Sequence, residues 1–296
     1  MAAPPPASAA ASVDWYTERH HDEYSYGFAL SERLVDTRTA FQHVEIAQTR
    51  HFGRMLVLDG AVQLVESMEF VYHESLVHPA MTLHPNPRRV LVVGGGDGGT
   101  AREALRHPTV EHLDMVDIDG ELVALCREHL PTLNAGCFDD PRLALHHADG
   151  AAFLGPDAEP YDVILTDFTD PVGPAETVYQ PTFFKSLRDA LAPGGLLGMQ
   201  CESVILLPDW HRRVADLVAS VFPHTRLYHQ YVQMYGGLWS FAIAAHDPAV
   251  LTPPPEGLDA RLADRGLSGL RLYSQAAHQG MFEGFAWAQA ARSPVG

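Results

Sequence analysis

Six carboxylates end or closely follow predicted strands, and they are the residues of this sequence from which a chemistry can be argued. They are Asp97, Asp117, Asp149, Asp167, Asp170 and Glu202. Because the carboxyl ends of parallel strands meet at one edge of a sheet, we expect these acids to converge there. No Lys or Arg occupies the same few positions. Crowded carboxylates raise one another's pKa values, so the pattern predicts a site that receives a cation.

The stretch from Arg89 to Thr100, RVLVVGGGDGGT, indicates a strand, a tight turn and the start of a helix. Gly94, Gly96 and Gly99 have the G-x-G-x-x-G spacing of a nucleotide-binding loop, although a glycine-rich loop is often only a flexible connection. Asp117 ends the next strand, 20 positions after Asp97, where a carboxylate can bind ribose hydroxyls. Asp97 would repel a pyrophosphate. The loop is therefore typical of a site for a nucleoside without phosphates.

Three arrangements would satisfy the clustered acids. Mg²⁺ suits carboxylates but usually arrives with phosphates, which Asp97 disfavours. A purely structural network would need no ligand. A polyamine beside a sulfonium nucleoside explains both the clustered acids and a glycine loop that is unsuited to binding phosphate. The residue pattern favours this arrangement without excluding the other two.

The elements that position these residues fall into two predicted domains, preceded by an Ala/Pro/Ser-rich tail, residues 1–13, that we expect to be disordered. Residues 39–47, 54–58 and 61–64 have strand patterns, and Asp59-Gly60 is a strong two-residue hairpin signal. Residues 14–66 are thus predicted to form a small antiparallel β-domain. Its core is small, so it should pack on the rest of the chain or on a second subunit.

Residues 67–296 are predicted to form an α/β domain. A helix is expected over 67–83, and aliphatic strands alternate with helices further on. The predicted strands are 89–93, 112–117, 143–148, 161–166 and 196–200, with helices after the first, second and fourth and another at 209–220, and a closing strand pair at 225–232 and 238–244. This order predicts a methyltransferase-like, Rossmann-like fold, in which a doubly wound, mostly parallel sheet ends in an antiparallel hairpin.

The amino-acid composition limits the kinds of molecule and surface that the chain is expected to bind. The chain has 296 residues, with 37 acidic against 20 basic side chains and a net charge of −17, which disfavours nucleic acid and anionic membranes. The sequence contains no uninterrupted run of 18 apolar residues, so no membrane-spanning helix is expected. The 17 histidines and three scattered cysteines show neither metal-ligand nor disulfide spacing, so no metal site is expected and a cytoplasmic location is the default.

Several blocks of sequence together resemble the polyamine aminopropyltransferase family over residues 15–285. The matching blocks are FGRMLVLDGAVQ at 52–63, EFVYHE at 69–74, VVGGGDG at 92–98, LNAG at 133–136 followed by DDPR at 139–142, and DFTDPVGP at 167–174. The resemblance implies transfer of the aminopropyl group of decarboxylated S-adenosylmethionine to an amine. With putrescine as acceptor, the products are spermidine and methylthioadenosine.

The resemblance further implies a homodimer or homotetramer and no tightly bound cofactor. Within the family, agmatine, cadaverine or spermidine are alternative acceptors. A methyltransferase and a non-catalytic polyamine-binding protein are the alternatives outside it.

Residue roles follow from the same resemblance. Asp167 is expected to take the proton of the attacking amine, and Asp97 to pair with the donor's ammonium and repel a carboxylated donor. The implied donor-binding residues are Gln42, Gly94, Gly96, Asp97, Asp117, Asp149, Gly150 and Pro174, and the implied polyamine-binding residues are Tyr72, His73, Asp97, Asp167, Asp170, Gln200 and Tyr235.

Two departures from the family pattern leave the acceptor open. Met234 stands where a substrate-contacting tyrosine is usual, with Tyr235 one place later, and the closing motif is reduced to HQGMF at 278–282.

Overall fold

The computed structural model describes residues 13–155, 159–169, 178–251 and 257–290. Residues 1–12 of the predicted tail lie outside these ranges, as do Asp170 and Pro174 with the roles predicted for them.

The N-terminal part is a five-stranded antiparallel meander. Its strands are β1 (Asp14–His21), β2 (Tyr24–Arg38), β3 (His43–Thr49), β4 (Arg54–Leu58) and β5 (Ala61–Val65), paired in chain order. At the turn between β4 and β5, Asp59 has φ 48° and Gly60 has φ 89°. A two-residue type I′ hairpin requires positive φ at both central positions, so the predicted hairpin is confirmed.

The second sheet has seven strands in the spatial order β11-β12-β10-β9-β6-β7-β8. They are β6 (Arg89–Gly94), β7 (His112–Asp117), β8 (Leu143–His147), β9 (Tyr161–Asp167), β10 (Leu191–Ser203), β11 (His224–Val232) and β12 (Gly237–Ala245). Strands β6 to β10 are parallel, whereas β12 runs antiparallel to β10 and β11. The predicted Rossmann-like sheet with a terminal hairpin is confirmed. Its strand order reverses between β6 and β9, where such sheets bind ligands.

Ten α-helices accompany the sheets in the described ranges. They are α1 (Phe70–Leu83), α2 (Gly99–Leu105), α3 (Gly120–His129), α4 (Pro131–Asn134), α5 (Gly150–Phe153), α6 (Pro181–Asp189), α7 (Pro208–Val221), α8 (Leu258–Asp264), α9 (Gln275–Glu283) and α10 (Ala286–Ala290). None of these helices has the length and hydropathy needed to cross a bilayer.

Three elements begin more than one residue away from their predicted starts, each for a local reason. Strand β3 begins at His43 because Thr39 accepts hydrogen bonds from the backbone N–H groups of Phe41 and Gln42 and turns the chain. Helix α1 begins three residues late because Met68 and Glu69 bond back to β5. Strand β10 begins at Leu191, which pairs with Tyr161; after an irregularity, regular pairing with β9 resumes at Leu196, where the predicted strand starts.

Two hydrophobic layers hold the strand ends in place. One layer joins the N-terminal sheet to α1 and one face of the central sheet, through fully buried residues such as Ile46, Leu64 and Leu76. The other covers the opposite face and includes Phe184 and Val218. The N-terminal sheet therefore packs over the carboxyl ends of the central strands, as its small core required.

Candidate active site

A cleft opens at the point where the strand order reverses, between the glycine-rich loop and the end of β9. Gly94 has φ 82°, and a Cβ there would lie 2.2 Å from the carbonyl oxygen of Asp167. The N–H of Gly95 donates to that same oxygen at 2.9 Å. Gly96 is also constrained, because a Cβ would lie 2.9 Å from Oδ2 of Asp117. The glycines therefore bring two loops into contact and leave backbone facing the cleft.

Asp167 is held by two hydroxyl groups. Tyr72, on α1, donates to Oδ1 at 2.7 Å, and Thr100, at the start of α2, donates to Oδ2 at 2.6 Å. Thr100 is fully buried. An ionised carboxylate has about four acceptor positions, so each oxygen keeps a lone pair that can take a proton. The arrangement can fix a general base without blocking it.

Asp97 lies beside Asp167 in the depth of the cleft. Its Oδ1 accepts the N–H of Gly99 at 2.6 Å and lies 3.6 Å from Nε2 of His73. One ligand atom from each of His73, Asp97 and Asp167 lies within 4.8 Å of the other two. Burial raises the pKa of Asp97, and the charge of Asp167 adds to this, whereas His73 opposes it.

His73 is fixed from its other side. Its Nδ1 is 2.6 Å from Oε2 of Glu69, and the guanidinium of Arg102 donates to the same carboxylate oxygen at 2.9 Å. Burial alone would lower the pKa of His73, but Asp97 and Glu69 outweigh it and raise the pKa to about 9. Mg²⁺ prefers oxygen ligands, so a group containing this imidazole does not favour the magnesium alternative.

Asp117 and Gln42 form the next part of the wall. Burial, followed by the charges of Asp119 and Asp167, raises the pKa of Asp117 to about 6. The N–H of Asp119 donates to Asp117 at 2.8 Å, and Asp119 caps α3 through the N–H of Leu122. Gln42 donates to Asp119 at 2.8 Å. The N-terminal domain thereby reaches the wall of the cleft near Asp117 through Gln42.

Asp149 and Gly150 line the cleft at the start of α5. Asp149 caps this short helix by accepting the N–H of Ala151 at 2.8 Å. A Cβ on Gly150 would lie 2.5 Å from Val93, so the backbone there approaches β6 closely.

The opposite end of the cleft contains Gln200, Tyr235 and Trp239. Trp239 donates to Gln200 at 3.2 Å, and Tyr235 donates to the carbonyl oxygen of Gln63 at 2.7 Å. Glu18, on β1, accepts from Tyr26 at 2.8 Å and from the N–H of Val62 at 2.6 Å, and burial raises its pKa. This part of the cleft wall therefore combines polar side chains with aromatic rings.

The structure brings twelve of the predicted site residues to this one cleft. They are Gln42, Tyr72, His73, Gly94, Gly96, Asp97, Asp117, Asp149, Gly150, Asp167, Gln200 and Tyr235. Glu202 was expected on the same rim, but it is fully buried and accepts a hydrogen bond from Gln200 instead of lining the cleft. Met234 is also fully buried, in the core, while Tyr235 lines the cleft.

Sequence reasoning missed several residues of the site. Glu18, His20 and Trp239 line it, and Thr100, Glu69 and Arg102 support it. Asp119 could have been found, because an Asp just before a helical pattern is an N-cap signal. Glu18 lies on a strand far away in sequence, and no local pattern connects it to the glycine loop.

Comparison with known proteins agrees with this geometry. A family model described as the spermine/spermidine synthase domain matches residues 69–252, and one described as the spermidine synthase tetramerisation domain matches residues 14–66. The polyamine aminopropyltransferase of Nitrosomonas europaea is 39% identical over 278 residues, covering 94% of this chain and 85% of that protein. The polyamine aminopropyltransferase of Bacillus subtilis is 40% identical over 237 residues, covering 79% of this chain and 86% of that protein.

Solved structures show the same likeness. A spermidine synthase in complex with the transition state analogue AdoDATO superposes with a TM-score of 0.87 at 30% identity, over 94% of each chain. The spermidine synthase of Thermotoga maritima gives a TM-score of 0.85 at 29% identity, also over 94% of each chain. The fold, the acidic cleft and both family matches lead to one conclusion: the chain belongs to the spermine/spermidine synthase family of polyamine aminopropyltransferases and is a transferase.

Proposed function

We propose that this enzyme transfers the aminopropyl group of decarboxylated S-adenosylmethionine to putrescine and releases spermidine and methylthioadenosine, with no tightly bound cofactor. Membership of the family supports aminopropyl transfer. The observation that carries the proposal further is the pair Asp97 and Asp167, two acids from different loops held a few ångströms apart in one cleft. One acid can bind a cationic donor while the other deprotonates an amine.

The donor end of the cleft suits a nucleoside with a cationic tail. Asp97 pairs with the aminopropyl ammonium, and Asp117 accepts from the ribose hydroxyls. Gly94 and Gly96 let the backbone approach, while Gln42 faces the methylthio end and Asp149 with Gly150 faces the adenine. Ordinary S-adenosylmethionine carries a carboxylate that Asp97 would repel, so the same charge disfavours methyl transfer.

The acceptor must lose a proton before it can attack. An amine with a lysine-like pKa of about 10.4 is deprotonated at pH 7 at a cost of roughly 4.6 kcal/mol. Asp167 takes that proton while the nitrogen forms a bond to the methylene beside sulfur. The carbon–sulfur bond breaks with its electron pair going to sulfur, and the neutral thioether leaves as methylthioadenosine. Tyr72 and Thr100 keep the carboxylate in position for this step.

The far end of the cleft suits the second amine of a diamine. Gln200 has a side-chain amide oxygen, Tyr235 has a hydroxyl group and an aromatic ring, and the carboxylate of Glu18 also lines the cleft. A second ammonium there would favour the charged form of Glu18, whose protonation burial promotes in the free enzyme. His73, one of the predicted polyamine contacts, lies beside Asp97.

The test is an acceptor panel with purified enzyme and the decarboxylated donor, in which methylthioadenosine release is measured. We expect putrescine to give the highest kcat/KM, ahead of cadaverine, agmatine and spermidine. A higher value for any of the other three would overturn the proposed acceptor. Polyamine binding without methylthioadenosine release would instead indicate a non-catalytic binding protein, and label transferred from the methyl group of intact S-adenosylmethionine would indicate a methyltransferase.

A further inference from the structure

His73 is clamped between two acids. Nδ1 contacts Glu69 at 2.6 Å, and Nε2 faces Asp97 at 3.6 Å. The ring is nearly inaccessible to solvent. A Cβ on Gly99 would lie 2.4 Å from the ring, so the imidazole is pressed against the backbone of the loop and cannot easily turn away.

The charges around His73 explain why its imidazole ring would carry a proton on both nitrogens. Glu69 approaches from the start of α1, Asp97 from the glycine loop and Asp167 from the end of β9. Arg102 on α2 forms ion pairs with Glu69 and Glu103 and interacts more weakly with Asp97. Arg102 neutralises Glu69. The two acids that remain, Asp97 and Asp167, have His73 as their nearby cation. This surplus of negative charge raises the pKa of His73 to about 9, even though burial opposes it.

Donor binding changes this balance. The aminopropyl ammonium of the donor pairs with Asp97 and so arrives within a few ångströms of Nε2. Two positive charges this close repel each other strongly where little water screens them. Because the ring is packed against Gly99 and bonded to Glu69, losing the proton relieves the repulsion more readily than moving the side chain.

We propose that the imidazolium of His73 holds the place of the donor's ammonium beside Asp97 in the free enzyme and releases one proton to solvent when the donor binds. The proton leaves from Nε2, while Nδ1 keeps its hydrogen bond to Glu69. This inference rests on the proposed function, since it takes decarboxylated S-adenosylmethionine as the donor.

Isothermal titration calorimetry of the enzyme, without acceptor amine, tests the proposal. Binding heats are measured at pH 7.5 in two buffers of different ionisation enthalpy, with the decarboxylated donor and with methylthioadenosine. Methylthioadenosine shares the nucleoside but carries neither ammonium nor sulfonium. We expect release of nearly one proton per site with the donor and none with methylthioadenosine. Donor affinity should also rise about tenfold per pH unit between pH 7 and 8, as the linkage of one released proton requires.

Two variants assign the proton to its residue. His73→Gln keeps a polar side chain beside Glu69 but carries no charge, so proton release should disappear while methylthioadenosine still binds. His78→Gln is the matched control, because His78 lies on the same helix, is equally buried and pairs with Glu103 at 3.0 Å, yet it does not line the cleft. Release should persist in this control.

The outcomes separate the inference from the proposed function. Donor binding with a heat that does not depend on the buffer overturns the role of His73 and leaves the reaction intact, as does proton release that persists in His73→Gln. A protein that binds methylthioadenosine but not the decarboxylated donor contradicts the proposed function, and the inference falls with it.

Discussion

Asp167 combines a fixed position with a free lone pair, and its replacement separates binding from chemistry. Asp167→Asn keeps the shape and the acceptor atom for Tyr72 but cannot take a proton. We expect turnover to fall by about 10²-fold or more, the usual effect of losing a general base, with donor affinity nearly unchanged. Single-turnover rates and donor titrations measure the two effects. Asp216→Asn, at an exposed position on α7, is the control, and equal turnover in both variants would remove Asp167 from the role of base.

Thr100 is a positioning residue that acts through Asp167. Thr100→Val keeps the branched shape but removes the hydroxyl that donates to Oδ2 at 2.6 Å. A hydrogen bond to a charged group contributes about 1.5–3 kcal/mol, so we expect kcat to fall about tenfold or more while KM for the donor changes little. Thr100→Ser should recover most of the rate. A valine variant with normal kcat, or a serine variant as slow as valine, would show that the hydroxyl does not matter.

Asp117 is expected to lower the stability of the free enzyme at neutral pH. Its pKa is about 6 in the folded chain, against an ordinary value of 3.8. Above pH 6 the carboxylate is ionised in both states and the folded state bears the cost of burying the charge. Between about pH 6 and 4 the folded state binds more protons, so this penalty fades on acidification. Asp117→Asn should therefore raise Tm at pH 8, raise it less at pH 5, and weaken donor binding.

Differential scanning fluorimetry at the two pH values, with donor titration, measures these effects. A lower Tm at pH 8 for the variant, or the same gain at both values, would contradict the electrostatic account.

At the scale of elements, the loop between β6 and α2 depends on Gly94. In Gly94→Ala, the new Cβ would lie 2.2 Å from the carbonyl oxygen of Asp167, so the two loops must separate. Gly194→Ala is a close match, because Gly194 has φ 81° but a Cβ there would meet no atom within 4 Å. Both variants bear the cost of a left-handed backbone, roughly 1 kcal/mol. Only Gly94→Ala should also lose most of its turnover. Steady-state assays compare the activity of the two variants, and thermal melts compare their stability. Equal activity in the two variants would show that the close approach is not required.

At the scale of the whole molecule, the cleft depends on both sheets. Tyr24 on β2 donates to the carbonyl oxygen of Gly236, and Tyr235 donates to that of Gln63, so hydrogen bonds join the N-terminal sheet to the β11–β12 hairpin. Glu18 on β1 and Gln42, just before β3, also belong to the cleft wall. Movement of one sheet relative to the other would therefore change the cleft wall at Gln42 and at Glu18 at once.

The N-terminal sheet also carries the expectation of a homodimer or homotetramer. Strand β1 is an edge strand, and its Trp15 is 57% exposed. An exposed apolar edge favours association with another copy. Sedimentation should give a mass two or four times the 32.4 kDa of one chain, and Trp15→Glu should lower it. Trp287→Glu, at a residue that is also 57% exposed but lies on α10, should leave the mass unchanged. A monomeric wild-type protein would contradict this expectation.

The sequence by itself determined the two sheets and most of the acidic cleft. Strand periodicity, the Asp59-Gly60 turn and the glycine spacing are local signals, and parallel strands bring their carboxyl ends to one edge wherever they form. Asp97, Asp117, Asp149 and Asp167 could therefore be placed together without coordinates.

Only the tertiary structure decided which residues surround those acids. Glu18 reaches the cleft from a distant strand, Thr100 turns its hydroxyl towards Asp167, and Glu202 is buried beside Gln200 although its position in the chain resembles that of the other acids. The turn before β12 directs Met234 into the core and Tyr235 towards the cleft, so the structure decides which of these two neighbouring side chains faces a ligand. Side-chain direction at such turns depends on packing between elements far apart in sequence, and a local pattern does not contain that information.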